Sequence, residues 1–166
     1  EGPTVYEGRH STEVITERAL NWLDTECKQE EPFMMMVHYK APHRNWQPIT
    51  SWKEKFSTMT FPEPESLFDD YTGRGTAANK QDMSISITMR MEGDLKANQS
   101  PRKEYLESNP MTGKELVEWK YQMYMRDYLA CIAGVDENVG KILDYLEEKG
   151  LDQNTVVMYS ADQGFY

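Results

Sequence analysis

Residues 32–39 read PFMMMVHY, an apolar run interrupted only at His38 and followed at once by Pro42 in KAP. An amphipathic helix would show a polar face every three or four residues, and this run has none. Its length, its lack of alternation and its bounding prolines predict a strand covered on both faces, as in a sheet packed between helices. A second run of the same character, NTVVMYS, occupies residues 154–160.

The segments around these two runs are helical in pattern. In STEVITERALNWLDTECK, residues 11–28, Val14 or Ile15, Arg18 or Ala19, and Trp22 or Leu23 recur at helical spacing. Ser11 or Thr12 is available as N-cap, with Glu13 in the first turn. From Glu115 to Lys149 the residues Val117, Tyr121, Tyr124, Tyr128, Ile132, Val135, Val139, Ile142 and Leu146 form one apolar stripe. Gly134 and Gly140 bend this long helix or admit a close neighbour, and Gly150 stands where a left-handed C-terminal cap belongs.

Between Trp46 and Gly113 periodicity is lost. Prolines at 48, 62, 64, 101 and 110 mark turns through this stretch, which reads as an irregular insert over 46–113. Within it MSISITMRM, residues 83–91, alternates as a half-buried strand would. Helix, strand, insert, long helix over 115–149, strand: the order predicts an α/β fold without internal repeats, buried strands flanked by helices.

The 166 residues suffice for one core, so length suggests one domain. No segment approaches the roughly 18–20 apolar residues a membrane-spanning helix needs, so no membrane partner is expected. A net charge of −10 argues against a nucleic-acid partner, because phosphate contacts require clustered Lys and Arg. Cys27 and Cys131 form neither a disulfide framework nor a zinc pattern, and both read as small buried hydrophobes. The opening EGPTVYEGRH is neither a start methionine nor a signal peptide, so a targeting segment is expected upstream or not at all.

Each apolar run ends in a polar cluster, which is where ligands gather in open α/β sheets. After the first, Lys40, His43 and Arg44 place three cationic or titratable side chains within five residues. Such a set suits a sulfate or phosphate group, with His43 able to donate to an oxygen. From spacing alone a solvated loop is the commoner outcome. After the second run, Asp162 and Gln163 offer a carboxylate and an amide carbonyl, hard oxygen donors suited to Ca²⁺ or Mg²⁺. Alone these two are as readily a turn, and two donors do not fill a Ca²⁺ shell of six to eight oxygens. Asp69 and Asp70 read as turn or cap residues, Asp136, Glu137 and Asn138 as helix packing, and His10 and His38 as structural histidines.

Taken in order, STEVITERALNWL, the strand leading to APHRNW, FPEPESLFDDYTGR, AGVDENVGKILDYLEEKGL and NTVVMYSADQGF resemble sulfatases of the alkaline-phosphatase-like superfamily, specifically the bacterial-type carbohydrate sulfatases. The resemblance covers nearly the whole chain. It implies a partial sulfatase sandwich, a Ca²⁺ ion bound in part by Asp162 and Gln163 (with Mg²⁺ as the other candidate), and His43 at the sulfate and leaving-group oxygen. Lys40, Arg44 and Trp46 fall beside His43 as candidate substrate contacts. The family's Cys/Ser-x-Pro-x-Arg motif, source of its formylglycine nucleophile, does not occur in the chain. Residues 1–166 therefore read as an internal fragment of a catalytic domain, inactive alone and acting on a sulfated carbohydrate in the parent enzyme. Self-association through exposed sheet edges is expected, and the resemblance implies export. A phosphodiesterase or phosphonate hydrolase of the same superfamily, or a noncatalytic binding or scaffold piece, are the competing readings.

Overall fold

A computed structural model of the chain describes residues 6–28, 31–81 and 83–163. Among these described residues five α-helices are formed: α1 (Ser11–Thr25), α2 (Thr50–Phe56), α3 (Thr76–Lys80), α4 (Arg102–Ser108) and α5 (Gly113–Glu148). Single 3₁₀ turns lie at Glu65–Phe68 and Asp152–Asn154. The chain divides into two compact units, Glu1–Tyr39 with Val135–Tyr166, and Lys40–Gly134.

In the first unit α1 buries Thr12, Thr16, Ala19 and Leu23, a stripe stepping by three and four. Its N-cap is neither Ser11 nor Thr12, the expected pair. His10 takes that place, its Nδ1 accepting from the Thr12 backbone N–H at 3.2 Å. Residues 33–39 lie against this helix through alternate side chains. The Thr16 and Tyr39 hydroxyls meet at 2.7 Å, and the Trp22 and Phe33 rings at 6.2 Å. Phe33, Met35, Val37 and Tyr39 are half-buried, whereas Met34, Met36 and His38 are exposed, Met34 by 80% and Met36 by 68%. That period of two is the geometry of an extended strand with one face covered.

No β-strand occurs among the described residues, so the expected sandwich with strands buried on both faces is not formed. The reason is pairing. A strand exists by its ladder, and among the described residues neither 33–39 nor 155–160 has a neighbouring strand to exchange backbone hydrogen bonds with. The second run is extended at its start (Thr155 φ −120°, ψ 126°) and leaves Val156, Met158 and Tyr159 at least three-quarters exposed. His38, expected to be buried and satisfied, is exposed for the same reason.

The C-terminal part of α5 buries Val135, Asn138 and Leu146. It ends in a Schellman cap: Leu151 N–H donates to Leu146 O at 2.8 Å and Gly150 N–H to Glu147 O at 2.9 Å. The positive φ of +65° at Gly150 is the left-handed conformation this cap demands.

The second unit has its own core of Trp46, Met89, Leu95, Ala97, Trp119, Met123, Tyr124 and Cys131. The insert over 46–113 is mostly irregular, so its backbone polar groups need partners from outside any ladder. Side chains of α5 supply them. Gln122 exchanges two hydrogen bonds with Phe61 (3.0 and 2.8 Å), Tyr121 Oη donates to Pro62 O, and Arg126 Nε to Met59 O. The buried Lys120 ammonium donates to Ser86 O at 3.0 Å. Arg102 of α4 grips Asp127 of α5 with two bonds of 2.8 and 2.7 Å, both side chains largely buried. Gly134 does admit a close neighbour, Ile49, whose Cδ1 would lie 3.1 Å from an added Cβ.

The strand expected over 83–91 is also absent. Ser84 and Thr88 turn the chain on itself instead: Thr88 Oγ1 accepts from Ser84 N–H and donates to Ser84 O, and Ile87 N–H donates to Ser84 Oγ. Side chains that satisfy their own backbone compete with a ladder, and in this stretch they win.

Candidate functional site

The loop that follows residue 39 carries the first polar cluster. His43 N–H closes a turn onto Lys40 O at 3.0 Å, and both side chains are exposed. The His43 ring is oriented by its own loop, Nδ1–H donating to Arg44 O. A carbonyl only accepts, so Nδ1 is the donor in this contact and Nε2 lies outside it.

Arg44 turns away from His43 into the insert. Its Nε donates to Asp94 Oδ1 at 3.1 Å, its Nη2 to Asp94 Oδ2 at 2.5 Å and to Thr88 O at 2.9 Å. Asp94 also accepts from the Arg90 backbone N–H (2.9 Å) and from the Arg90 guanidinium (2.9 and 3.3 Å). Arg90 in turn donates to Asn45 Oδ1 at 2.9 Å. The Asp94 side chain is 0% exposed. Burial alone would push its carboxyl group up, but the donors from Arg44 and Arg90 outweigh burial and hold it well below the usual carboxylate range. Sequence reading passed over Asp94. The i, i+4 spacing of Arg90 and Asp94 was the available signal, and without the fold it resembles any surface ion pair.

Trp46 lies in the core of its unit. It is 1% exposed, with its ring 4.8 Å from that of Tyr124 and 6.3 Å from that of Tyr128. An indole so enclosed cannot lie against a sugar, so its expected substrate contact gives way to packing. Asp69 and Asp70 do serve turns, accepting from Tyr71 and Thr72 N–H at 2.9 and 2.8 Å.

Asp162 and Gln163 stand exposed at a bend directly after the second extended run; Gly164 lies outside the described residues. Among the described residues no three His, Cys, Asp or Glu side chains converge as a metal site would require. The pair nevertheless fits a hard cation in donor type, as two oxygens of a larger set.

Comparison with known proteins agrees across the chain. The sulfatase family model matches residues 1–166. An N-acetylglucosamine-6-O-sulfatase of Bacteroides thetaiotaomicron is 40% identical over 199 residues, covering 100% of this chain and 35% of that protein. An arylsulfatase of Volvox carteri is 28% identical over 172 residues, covering 99% of this chain and 24% of its own length. A solved structure, that of BT4656 in complex with its substrate D-glucosamine-2-N,6-O-disulfate, superposes with a TM-score of 0.78 at 39% identity, over 90% of this chain and 36% of that one. This chain belongs to the sulfatase family. It spans about a third of the length of the Bacteroides relative.

Proposed function

We propose that the chain is part of an enzyme that hydrolyses sulfate esters of a carbohydrate, with a glucosamine 6-sulfate as the favoured substrate class. The 40% identity to an N-acetylglucosamine-6-O-sulfatase, sustained over the whole chain, carries this reading. In the complete domain, residues 33–39 and 155–160 are strands of the sulfatase sheet. Export from the cytoplasm accompanies this reading.

His43 is the acid of the reaction. As the sulfur–oxygen bond breaks, His43 acts as the imidazolium: its Nε2–H passes a proton to the departing sugar oxygen, and the Nδ1–H bond to Arg44 O keeps the ring aimed during transfer. Lys40 supplies an exposed ammonium beside it, and Arg44 the guanidinium that Asp94 holds; both favour an anionic ester in the loop. Asp162 and Gln163 would hold a Ca²⁺ ion (or Mg²⁺) with ligands from outside the chain. A formylglycine, also outside the chain, would supply the nucleophile, and the bound metal would supply charge to offset that of the sulfate.

The test is sulfate release from glucosamine 6-sulfate by the complete protein, followed by ion chromatography. Expected are turnover, its loss in His43→Ala, and its loss on chelation with return on adding Ca²⁺. Faster turnover of a phosphodiester such as bis(p-nitrophenyl) phosphate would replace the reading with the phosphodiesterase one. The 166-residue chain alone, which lacks the Cys/Ser-x-Pro-x-Arg motif, should release none and should bind Ca²⁺ only weakly.

A further inference from the structure

The Lys40–Gly134 unit holds two buried aspartates paired with arginines, and they differ in what they are attached to. Arg102–Asp127 joins two helices and accepts nothing from the His43 loop. Asp94 joins that loop to the insert. One of its arginines, Arg44, is the residue whose carbonyl orients the His43 ring, and the other, Arg90, holds the next residue, Asn45.

We propose that Asp94 is the positioning residue of the His43 loop: its buried carboxylate clamps Arg44 directly and Asn45 through Arg90, and so fixes where the Arg44 carbonyl points the imidazole. The chain of contacts is short and each link is directional. Arg44 meets both Asp94 oxygens through Nε and Nη2, a fork that permits one orientation of the guanidinium. A third bond to Thr88 O removes its remaining rotation. The Arg90 backbone N–H and guanidinium on the same carboxylate fix Asp94 in turn, and Gly93 has no side chain to crowd Arg90, whose Cζ would lie 3.2 Å from an added Cβ. His43 itself is exposed, and its ring is bonded to Arg44 O. Its orientation therefore comes from the carbonyl, and the carbonyl's from Asp94.

This places a different role on Arg44 from that of a freely offered substrate cation. Two of its three nitrogens are spent on the clamp. The inference rests on the proposed acid role of His43 for its catalytic consequence, but its structural half stands without it.

The experiment uses nuclear magnetic resonance and kinetics on Asp94→Asn, with Asp127→Asn as comparison. Asn keeps the shape of the carboxylate and removes its charge. The chain has only three histidines, so the ring signals of His43 are identified by their loss in His43→Ala. Expected for Asp94→Asn are shifted or broadened His43 ring signals, with His10 and His38 unchanged. In the complete protein kcat should fall about ten- to a hundredfold while KM changes little. Asp127→Asn should lower the melting temperature and leave the His43 signals and kcat unchanged. Equal effects of the two substitutions on His43, or no effect of Asp94→Asn, would overturn the proposal. If Asp94→Asn does not fold, Arg44→Lys gives the same reading, because an ammonium keeps the charge and loses the fork; unchanged His43 signals there would also overturn it. Absence of sulfate release by the wild-type protein would count against the enzymatic reading and would leave the resonance result to decide the positioning role.

Discussion

Trp46 and Tyr124 meet ring to ring, centroids 4.8 Å apart and planes inclined at 55°, so the His43 loop ends in the core of its unit three residues after the imidazole. One end of the loop is thus fixed by apolar packing and its middle by a buried ion pair. The two anchors are chemically independent and give separate predictions.

Truncation of the first anchor should be costly. Trp46→Ala removes a nearly fully buried indole from among Tyr124, Tyr128 and Cys131, and should lower stability by about 3–5 kcal/mol. Trp46→Phe keeps part of the aromatic contact and should cost less than half of that. Urea unfolding followed by tryptophan fluorescence and circular dichroism checks both. A loss below about 1 kcal/mol for the alanine variant would mean that the indole is not packed as described.

The second anchor makes stability depend on pH. Asp94 is held ionised well below the usual carboxylate range, so its contribution is fully present above the unfolded-state value of 3.8 and is lost as pH falls through the lower folded-state value. Wild-type stability should therefore fall below about pH 4 more steeply than that of Asp94→Asn. The two urea midpoints should converge as the pH is lowered, since protonated Asp94 resembles the amide. Parallel pH profiles would contradict the assignment of Asp94 as a buried, ionised clamp.

The two cysteines should be chemically distinct. Burial, partly countered by the Gln47 backbone N–H, pushes the Cys131 thiol up to about 11 and encloses it in the core. Cys27 is only half-buried, at the end of α1. Iodoacetamide at pH 8 should therefore modify Cys27 first, with Cys131 following only in denaturant, as mass spectrometry of peptides can show. Equal native-state rates would place Cys131 outside the core.

Two of the helices, α1 and α5, were legible because their signals are local; the short α2, α3 and α4 inside the insert were not. The α5 stripe and the Gly150 cap depend on spacing and on one backbone conformation, both present in the letters. The family was legible because several motifs occur in one order across the chain. Pairing was not legible. PFMMMVHY dictates an extended backbone, and the alternating exposure of residues 33–39 bears that out, but a ladder requires a second strand that no letter of the run specifies. The same limit hid the site's support: Arg44 and Asp94 are fifty positions apart, and whether Trp46 packed or faced a sugar was decided by Tyr124, far along the chain.

Unpaired extended runs have a consequence in solution. Met34 and Met36 project together from one face of 33–39, and Val156 and Met158 are 86% and 87% exposed. Each run also carries backbone N–H and C=O groups with no ladder partner among the described residues, a template for another chain. The 166-residue chain should therefore self-associate, and sedimentation velocity should show species larger than 166 residues whose share rises with concentration. Replacing Met34 and Met36 together by lysine adds charge to the exposed face without touching Phe33, Met35, Val37 or Tyr39, the side chains that pack inward. That double variant should shift the distribution towards monomer while leaving the helical circular dichroism unchanged. A wild-type chain that sediments as a single monomer at every concentration would show that these edges are not adhesive. In that case the methionines are exposed without consequence for assembly.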